Sequence, residues 1–186
     1  MPLIRTQSTS TSATSLITHR GPWDSHSRQY QTLRFFERYI DTLDASKLNS
    51  TSCTTFFSPN AVFHDTKGDV YLSGSHIWEW MKRLFAAFDS VTHEIVEVRV
   101  IPEAEGHVVV YGELVRHFRL KGDRTDIVSP MFCIITIGPA EVGIPFYFWG
   151  EGGIEGMQIH EASVFWDTGI LSRYTKGKEE EHKRPH

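Results

Sequence analysis

Histidine is the side chain that this sequence offers most often for acid–base or metal chemistry, with ten along the chain. His64, His76, His93, His107 and His117 are numerous enough to suggest a metal site. None of these five belongs to an HxxxH or HxH spacing, or to a histidine and carboxylate set on one predicted element, as metal sites require. His64 and Asp65 are adjacent, and adjacent side chains on a strand point to opposite faces. The histidines therefore predict no metal site.

The sequence also lacks the motifs of covalent and nucleotide chemistry. It contains no GxSxG motif and no glycine-rich phosphate loop. The two cysteines, Cys53 and Cys133, form no CxxC pair and show no Cys–His signature, so neither a disulfide scaffold nor a thiol nucleophile is predicted. A reduced, cytoplasmic compartment is the default for such a chain. Nucleophilic catalysis and nucleotide binding therefore have no support in the sequence.

Composition and charge argue against two classes of partner. The 186 residues are 40% hydrophobic and carry 19 basic and 23 acidic side chains. Residues 24–172 hold 12 of the bases and 20 of the acids, and such an acidic body repels a phosphate backbone. No nucleic-acid partner is expected. No apolar run approaches the roughly 18–20 residues that a membrane helix needs, so a membrane-spanning protein is excluded.

The two ends of the chain differ from its middle. Residues 6–18 are mostly Ser and Thr, so residues 1–23 are predicted to be a disordered leader. Because the leader is Ser-rich, contains arginine and has no acid, it also resembles a mitochondrial transit peptide, which makes a mitochondrial location the alternative. Residues 173–186 are predicted to be a charged, disordered tail. One domain is expected over residues 24–172.

The middle of the chain predicts helices first and long strands afterwards. Apolar side chains recur every three or four positions at Tyr30, Leu33, Phe36, Ile40 and Leu43. This helix is expected to start near Asp24 or Ser25, either of which can cap it. Further helices are predicted over residues 52–57 and 76–88, and strands over residues 61–65, 70–72, 92–102, 107–120, 127–138 and 158–166. This order indicates an α+β fold with helices on one face of a mainly antiparallel sheet.

One segment between the last two predicted strands is unusually aromatic. Residues 143–153 place four consecutive aromatic side chains between glycines. Exposed aromatic residues at this density usually have a partner surface. The segment could be a lid over a hydrophobic pocket, a hairpin that extends the two strands, or part of a homodimer interface.

Three segments resemble the nuclear-transport-factor-2-like cone, the superfamily of ketosteroid isomerase, scytalone dehydratase and SnoaL-type polyketide cyclases. They are the first-helix pattern of residues 38–45, the segment 56–65 and the closing strand at 159–169. With the order of elements, the resemblance covers about residues 28–171, and the chain looks most like SnoaL-like enzymes of fungal secondary metabolism. It implies a curved, mainly antiparallel sheet wrapped around helices to form a cone with a deep apolar pocket. This fold hosts many chemistries and also non-enzymes.

The resemblance implies which side chains reach that pocket. When the long strands are aligned on the resemblance, every second side chain of each strand is expected to point into the pocket. The side chains expected to shape the pocket and bind substrate are Trp78, Leu114, Phe118, Phe132 and Trp166. A single β-bulge would reverse the direction of every side chain beyond it.

Asp65 and Tyr39 are the first catalytic candidates that the resemblance implies. Asp65 occupies the position of the isomerase's general base, and a carboxylate near an apolar cavity can acquire a pKa suited to moving protons. Its alternative role is to cap the turn at Lys67. Tyr39 matches the tyrosine that donates a hydrogen bond to the developing oxyanion, and its alternative role is to fill the core. The carboxylic acid of that oxyanion hole is replaced here by Phe132.

Arg116 and His160 complete the catalytic candidates. An inward Arg116 needs a partner, which Asp65, Glu113 or an anionic substrate could supply. In the alternative arrangement Arg116 faces solvent or a dimer interface, and His117 faces inward. His160 on the closing strand is a candidate acid, because its ordinary pKa lies near neutral pH. Its alternative role is structural.

The sequence and the resemblance together predict an isomerase, cyclase or dehydratase. It would act on a hydrophobic, polyketide- or terpenoid-like substrate by cofactor-free acid–base catalysis, and a homodimer is expected. A binding or dimerisation module of the same fold is the alternative. The third possibility is epoxide hydrolysis by an Asp–Arg–Asp set, for which the sequence offers no second inward aspartate.

Overall fold

The computed structural model describes residues 15–44, 46–141 and 152–174. Two helices have defined bounds, α1 (Gln31–Asp44) and α2 (Gly74–Phe85). Residues 169–174 are also helical. The strands are β1 (Ile17–Arg20), β2 (Phe57–His64), β3 (Val70–Leu72), β4 (Phe88–Pro102), β5 (Val108–Leu120), β6 (Ile127–Pro139) and β7 (Met157–Trp166). The predicted α+β class is confirmed.

All seven strands form one sheet, in the order β1-β4-β5-β6-β7-β2-β3. Neighbouring strands are antiparallel except β2 and β7, which are parallel. The inner faces of β4, β5, β6 and β7 and the apolar sides of both helices bury one large core. The sheet and its helices therefore form the predicted cone.

Helix α1 packs on the sheet through the apolar side that the sequence predicts. Leu33, Phe36, Ile40 and Leu43 are each at most 3% exposed. Phe36 lies over Gly112 of β5, where an added Cβ atom would stand 3.4 Å from the Phe36 ring and 2.7 Å from the sulfur of Cys133. The glycine therefore leaves room for the Cys133 sulfur of β6, whereas Phe36 would remain in ordinary contact with an added Cβ atom.

The start of α1 lies later than the sequence predicts. Asp24 precedes a separate short 3-10 turn at Ser27–Gln29, and its Oδ1 accepts a hydrogen bond of 2.7 Å from the Ser27 amide. Tyr30 is extended, with ψ at 122°. Because an extended residue interrupts helical hydrogen bonding, α1 begins only at Gln31. The predicted helix over residues 52–57 is likewise reduced to a 3-10 turn at Cys53–Thr55.

The sheet also begins earlier than the sequence predicts. Residues 17–20 were expected to belong to the disordered leader, but they form β1 and pair with residues 97–100 of β4. His19 of this strand points inward, is 6% exposed and stacks on Trp23. The disorder prediction is therefore wrong for residues 17–20, because backbone pairing with the edge of β4 orders them as a strand. Residues 1–14 and 175–186 lie outside the described residues.

A β-bulge in β7 decides which of its side chains face inward. Ile137 of β6 pairs with Ile159, whereas Thr136 pairs with Glu161, so His160 is an extra residue without a partner of its own. The bulge shifts the alternation by one position. As a result Ile159 and Ala162 are both buried in the core, and His160 is not.

No helix among the described residues is long and apolar enough to cross a membrane.

Candidate active site

A cavity of about 320 Å³ opens between the inner face of the sheet and the two helices. This volume lies at the lower end of the range of about 300–1,000 Å³ typical of small-molecule sites. Most of the cavity wall is apolar or sulfur-containing, and this part includes Phe36, Ile40, Phe63, Trp80, Met81, Phe85, Met131, Cys133, Val164 and Trp166. Tyr39 and Arg116 are polar groups within this wall. Asp65, Thr66, Lys67 and Asp69 line the cavity from the turn between β2 and β3.

Arg116 on β5 holds its place because three other strands of the sheet each contribute one contact to it. His93 of β4 is its direct cross-strand partner. The Arg116 Nε donates to His93 Nε2 at 2.9 Å, and one Nη contacts the Met131 sulfur of β6 at 2.7 Å. The guanidinium carbon lies 5.4 Å from the centre of the Trp166 ring of β7, within the range of a cation–π contact. Arg116 therefore faces the cavity.

Behind Arg116, Asp44 at the end of α1 holds His93 in one orientation. The Asp44 carboxylate lies 2.5 Å from His93 Nδ1 and accepts a second hydrogen bond, of 3.0 Å, from the His93 amide. Because a guanidinium can only donate, His93 Nε2 must carry the lone pair, and the proton must lie on Nδ1, where it is donated to Asp44. The three residues therefore form a chain of hydrogen bonds, in which Arg116 donates to His93 and His93 donates to Asp44.

Burial sets the protonation of this chain. The His93 side chain is 0% exposed, and its burial lowers the pKa below 6.5, although the hydrogen bond to Asp44 acts in the opposite direction. Burial also lowers the pKa of Arg116 to about 10. At neutral pH His93 is therefore neutral, and Arg116 still carries its positive charge.

Tyr39 offers a second donor in the same cavity. Its hydroxyl lies 3.8 Å from the Met81 sulfur, a weak acceptor, and burial raises its pKa above the ordinary value. The nearby Arg116 acts on that pKa in the opposite direction. Burial likewise raises the pKa of Cys133 to about 12. Both groups therefore stay protonated at neutral pH, and Cys133 is not poised as a nucleophile.

Asp65 lines the cavity but uses its carboxylate in its own turn. Oδ1 accepts hydrogen bonds from the amides of Lys67, at 2.8 Å, and Asp69, at 2.9 Å. These are the contacts expected of the turn-capping role. The neighbouring Thr66 joins this turn to the end of β7, since its hydroxyl bonds both the carbonyl and the amide of Trp166.

Replacing Asp65 with alanine is expected to lower the free energy of unfolding by about 1 kcal/mol, since two amide hydrogen bonds are lost at a partly exposed site. Urea denaturation would measure the change. Asp69→Ala is the matched control, because Asp69 contributes only backbone groups to the turn. Equal losses in both variants would show that the Asp65 carboxylate does not stabilise the turn.

Two predicted pocket residues lie outside the cavity because the predicted strand faces were wrong. The bulge in β7 turns His160 away, and its ring lies against His107 and 3.0 Å from the carbonyl of Pro139. Phe132 is on the outer face of β6, 40% exposed, and contacts Tyr111 and Phe165. Met131, Cys133 and Ile135 face inward instead.

Three more predicted substrate-binding residues are buried beside the cavity rather than lining it. Trp78 is 1% exposed, and its indole donates to the carbonyls of Leu48 and Thr51. Leu114 lies in the main core, and Phe118 packs against Phe88 and the ring of Trp166. Of the five side chains predicted to bind substrate, Trp166 lines the main cavity.

The two residues that the sequence analysis missed as site residues are Asp44 and His93. Their contact joins positions 49 apart in the chain, so no local spacing reveals it. The only local signal is an acid at the C-terminal end of an amphipathic helix, where the helix dipole disfavours it. Within residues 15–44, 46–141 and 152–174, no three His, Cys, Asp or Glu side chains come together as a metal site would need. Residues 142–151, which hold most of the aromatic segment, lie outside the described residues.

Comparison with known proteins identifies the fold through structures rather than sequences. No family model matches the chain, and no curated protein matches it. Many solved structures do match. Aln2 from a Streptomyces species is 14% identical, with a TM-score of 0.59 over 82% of this chain and 99% of that one.

Two other matches show how widely the fold is used. A candidate SnoaL-like polyketide cyclase from Shewanella denitrificans is 14% identical, with a TM-score of 0.52 over 83% of this chain and 99% of that one. Nuclear transport factor 2 from Cryptosporidium parvum is 15% identical, with a TM-score of 0.50 over 77% and 97%. None of the three organisms is a fungus, and the expected fungal origin receives no support.

The chain has the nuclear-transport-factor-2-like fold, which SnoaL-like and ketosteroid-isomerase-like proteins share. At 9–15% identity the likeness defines the fold alone.

Proposed function

We propose that this protein is a cofactor-independent isomerase or lyase, of the cyclase or dehydratase type, that acts on a hydrophobic small molecule in the cavity. The observation that carries the proposal is the chain of hydrogen bonds that runs from Arg116, in the wall of that cavity, through the buried His93 behind it to Asp44. It places a positive charge next to a neutral imidazole whose lone pair has a defined direction. A donor for negative charge beside a proton acceptor is what proton transfer at carbon requires.

Arg116 and Tyr39 would stabilise the charge that develops on the substrate. When a proton leaves a carbon next to a carbonyl group, negative charge accumulates on the carbonyl oxygen. The guanidinium and the phenol are both donors in a largely apolar wall, where such hydrogen bonds are stronger than in water. Their present sulfur partners are weak acceptors that a substrate oxygen can replace.

His93 is the proton acceptor that the hydrogen bonds favour. Its Nε2 lone pair is directed at Arg116, so a substrate oxyanion that draws the guanidinium toward itself would free this lone pair. The substrate C–H proton would then pass to Nε2, and Asp44 would stabilise the resulting imidazolium through Nδ1. Returning the proton to another carbon gives isomerisation, and giving it to a departing hydroxyl gives dehydration.

Asp65 is the second candidate for the proton acceptor. It lines the same cavity, as the resemblance implied, and only one of its carboxylate oxygens accepts the two turn hydrogen bonds. Asp65 and Arg116 do not form the Asp–Arg–Asp set of epoxide hydrolysis, since no carboxylate in the described residues forms an ion pair with Arg116. Isomerase or lyase chemistry remains the better supported.

Catalysed hydrogen–deuterium exchange tests the proposal without knowledge of the natural substrate. The probe is 2-tetralone, a compact hydrophobic ketone whose acidic C–H bonds exchange in deuterium oxide and can be followed by proton NMR. The wild-type protein is expected to accelerate the exchange over buffer, and His93→Gln to abolish the acceleration. Asp65→Asn is the matched variant at the other candidate base. Loss of exchange in that variant alone would show that Asp65, and not His93, is the proton acceptor.

The alternative function is a non-catalytic binding or dimerisation module, which the presence of nuclear transport factor 2 among the structural matches keeps in view. Wild-type protein that binds the ketone but leaves its exchange rate at that of buffer would support this alternative and contradict the enzyme proposal.

A further inference from the structure

The charge of Arg116 has no direct counter-ion among the residues that the structure describes. Its contacts are a neutral imidazole, a thioether and an indole ring. In the described parts of the chain no carboxylate lies within ion-pair distance of it, and Asp44 acts on it only from behind His93. A half-buried cation with such partners has lost hydration that these groups do not replace.

The burial of Arg116 disfavours its charged form, and a ligand of opposite charge can offset this effect. Burial lowers its pKa to about 10 because it disfavours the charged form. An anion placed against the guanidinium favours the charged form and restores the lost stabilisation. A neutral ligand of the same shape cannot do so.

The geometry of the donors selects the kind of anion. The guanidinium is planar and presents five N–H donors, of which Nε serves His93 and one Nη contacts Met131. The donors that remain can bind oxygen atoms in a plane, as carboxylates and enolates present them. The aromatic rings of Trp166 and Trp80 in the same wall suit a flat hydrocarbon body.

We infer that the ligand of this cavity is a hydrophobic organic anion whose charge lies on oxygen, a carboxylate or the enolate of a 1,3-dicarbonyl compound, bound by Arg116 and Tyr39. The inference rests on the proposed function in taking this cavity as the ligand site, and it names the class of ligand. It also explains how the ligand would reach His93: an anion that draws the guanidinium away uncovers the imidazole.

Calorimetric titration with two matched pairs of probes tests the inference. 2-Naphthoate is compared with 2-naphthamide, which has the same body without the charge. Dimedone, ionised at neutral pH, is compared with its neutral methyl enol ether. The wild-type protein is expected to bind at least one anion about tenfold or more tightly than its neutral partner, as a charge-assisted hydrogen bond implies. The pair that shows the preference identifies the carboxylate or the enolate as the recognised group.

Substitution of Arg116 and of Lys67, which both line the cavity, tests whether Arg116 causes the preference for the anion. Arg116→Met is expected to bind both members of each pair equally. Lys67→Met is the matched control, since it removes the same charge from an exposed position on the β2–β3 turn, and it is expected to keep the preference. If Arg116→Met does not fold, NMR of the wild-type arginine Nε–H groups takes its place. The Arg116 signal should then move with an anion and stay fixed with its neutral partner.

Three results would overturn the inference: equal affinity of the wild-type protein for the anion and the neutral compound in both pairs, no binding of any probe, or an anion preference that survives in Arg116→Met. Failure of catalysis is a separate result. Anion preference without ketone exchange would keep this inference and remove the enzyme proposal, and exchange without anion preference would do the reverse.

Discussion

The substitution Asp44→Asn is expected to slow catalysed ketone exchange by about 100- to 10,000-fold, the range typical of a lost general base. Both carboxylate oxygens of Asp44 accept hydrogen bonds, one from the His93 ring and one from the His93 amide. An asparagine has one acceptor oxygen, so its NH₂ group would face one of these two donors. The imidazole would then rotate or change tautomer, and its lone pair would no longer point toward Arg116.

The effect of Asp44→Asn can be separated from a general loss of structure. Asp41→Asn is the matched control, because Asp41 lies one turn earlier on α1 and is exposed. Nitrogen-15 NMR of the His93 ring reports the tautomer directly. Wild-type protein should show the proton on Nδ1, and Asp44→Asn should lose that signature. An Asp44→Asn protein that keeps both the tautomer and the exchange rate would show that Asp44 does not position His93.

Lowering the pH below about 6.5 is expected to destabilise the protein through His93. Burial, the largest influence, lowers the pKa of His93 in the folded state below the 6.5 of an exposed histidine. Between that lowered value and 6.5 the unfolded chain binds a proton that the folded protein does not. The free energy of unfolding therefore falls as the pH falls through this window, by up to about 1.4 kcal/mol per pH unit for a single proton.

Urea denaturation at a series of pH values from about 5 to about 8 measures this slope. His93→Gln is expected to flatten it, whatever the variant does to stability at neutral pH. His117→Gln is the control, since His117 lies on the neighbouring strand with a side chain 39% exposed. Parallel pH profiles for wild type and His93→Gln would show that His93 is not buried in its neutral form.

The sequence predicts the architecture of the protein better than the directions of its side chains. Helix α1 and the long strands follow from patterns that one segment carries by itself. Strand β6 carries no such pattern, because apolar residues stand on both of its faces. Phe132 is supported on the outside by Tyr111 and Phe165, while Met131 and Cys133 fill the inside. Alternation alone cannot choose between two apolar faces.

The candidate site depends still more on contacts between distant segments. Tyr39, Asp65, Arg116 and Trp166 could be proposed because a family resemblance places them, and all four line the cavity. His160 could not be excluded, because a single extra residue in β7 reverses its direction. Asp44 and His93 come together only when the end of α1 packs on β4. That packing depends on the whole core rather than on either segment.

The parallel pairing of β2 with β7 fixes when the cavity can exist during synthesis. Part of the wall comes from β2 and the turn after it, and the adjoining part comes from β7, whose last residue Trp166 is contacted by Thr66 from 100 positions earlier in the chain. A ribosome that has released α1, α2 and the first six strands has therefore released a protein without a closed cavity. Closing so long a loop is slow, and until then the apolar walls of the site face the solvent. The apolar lining of the ligand site is thus covered only after β7 has been made.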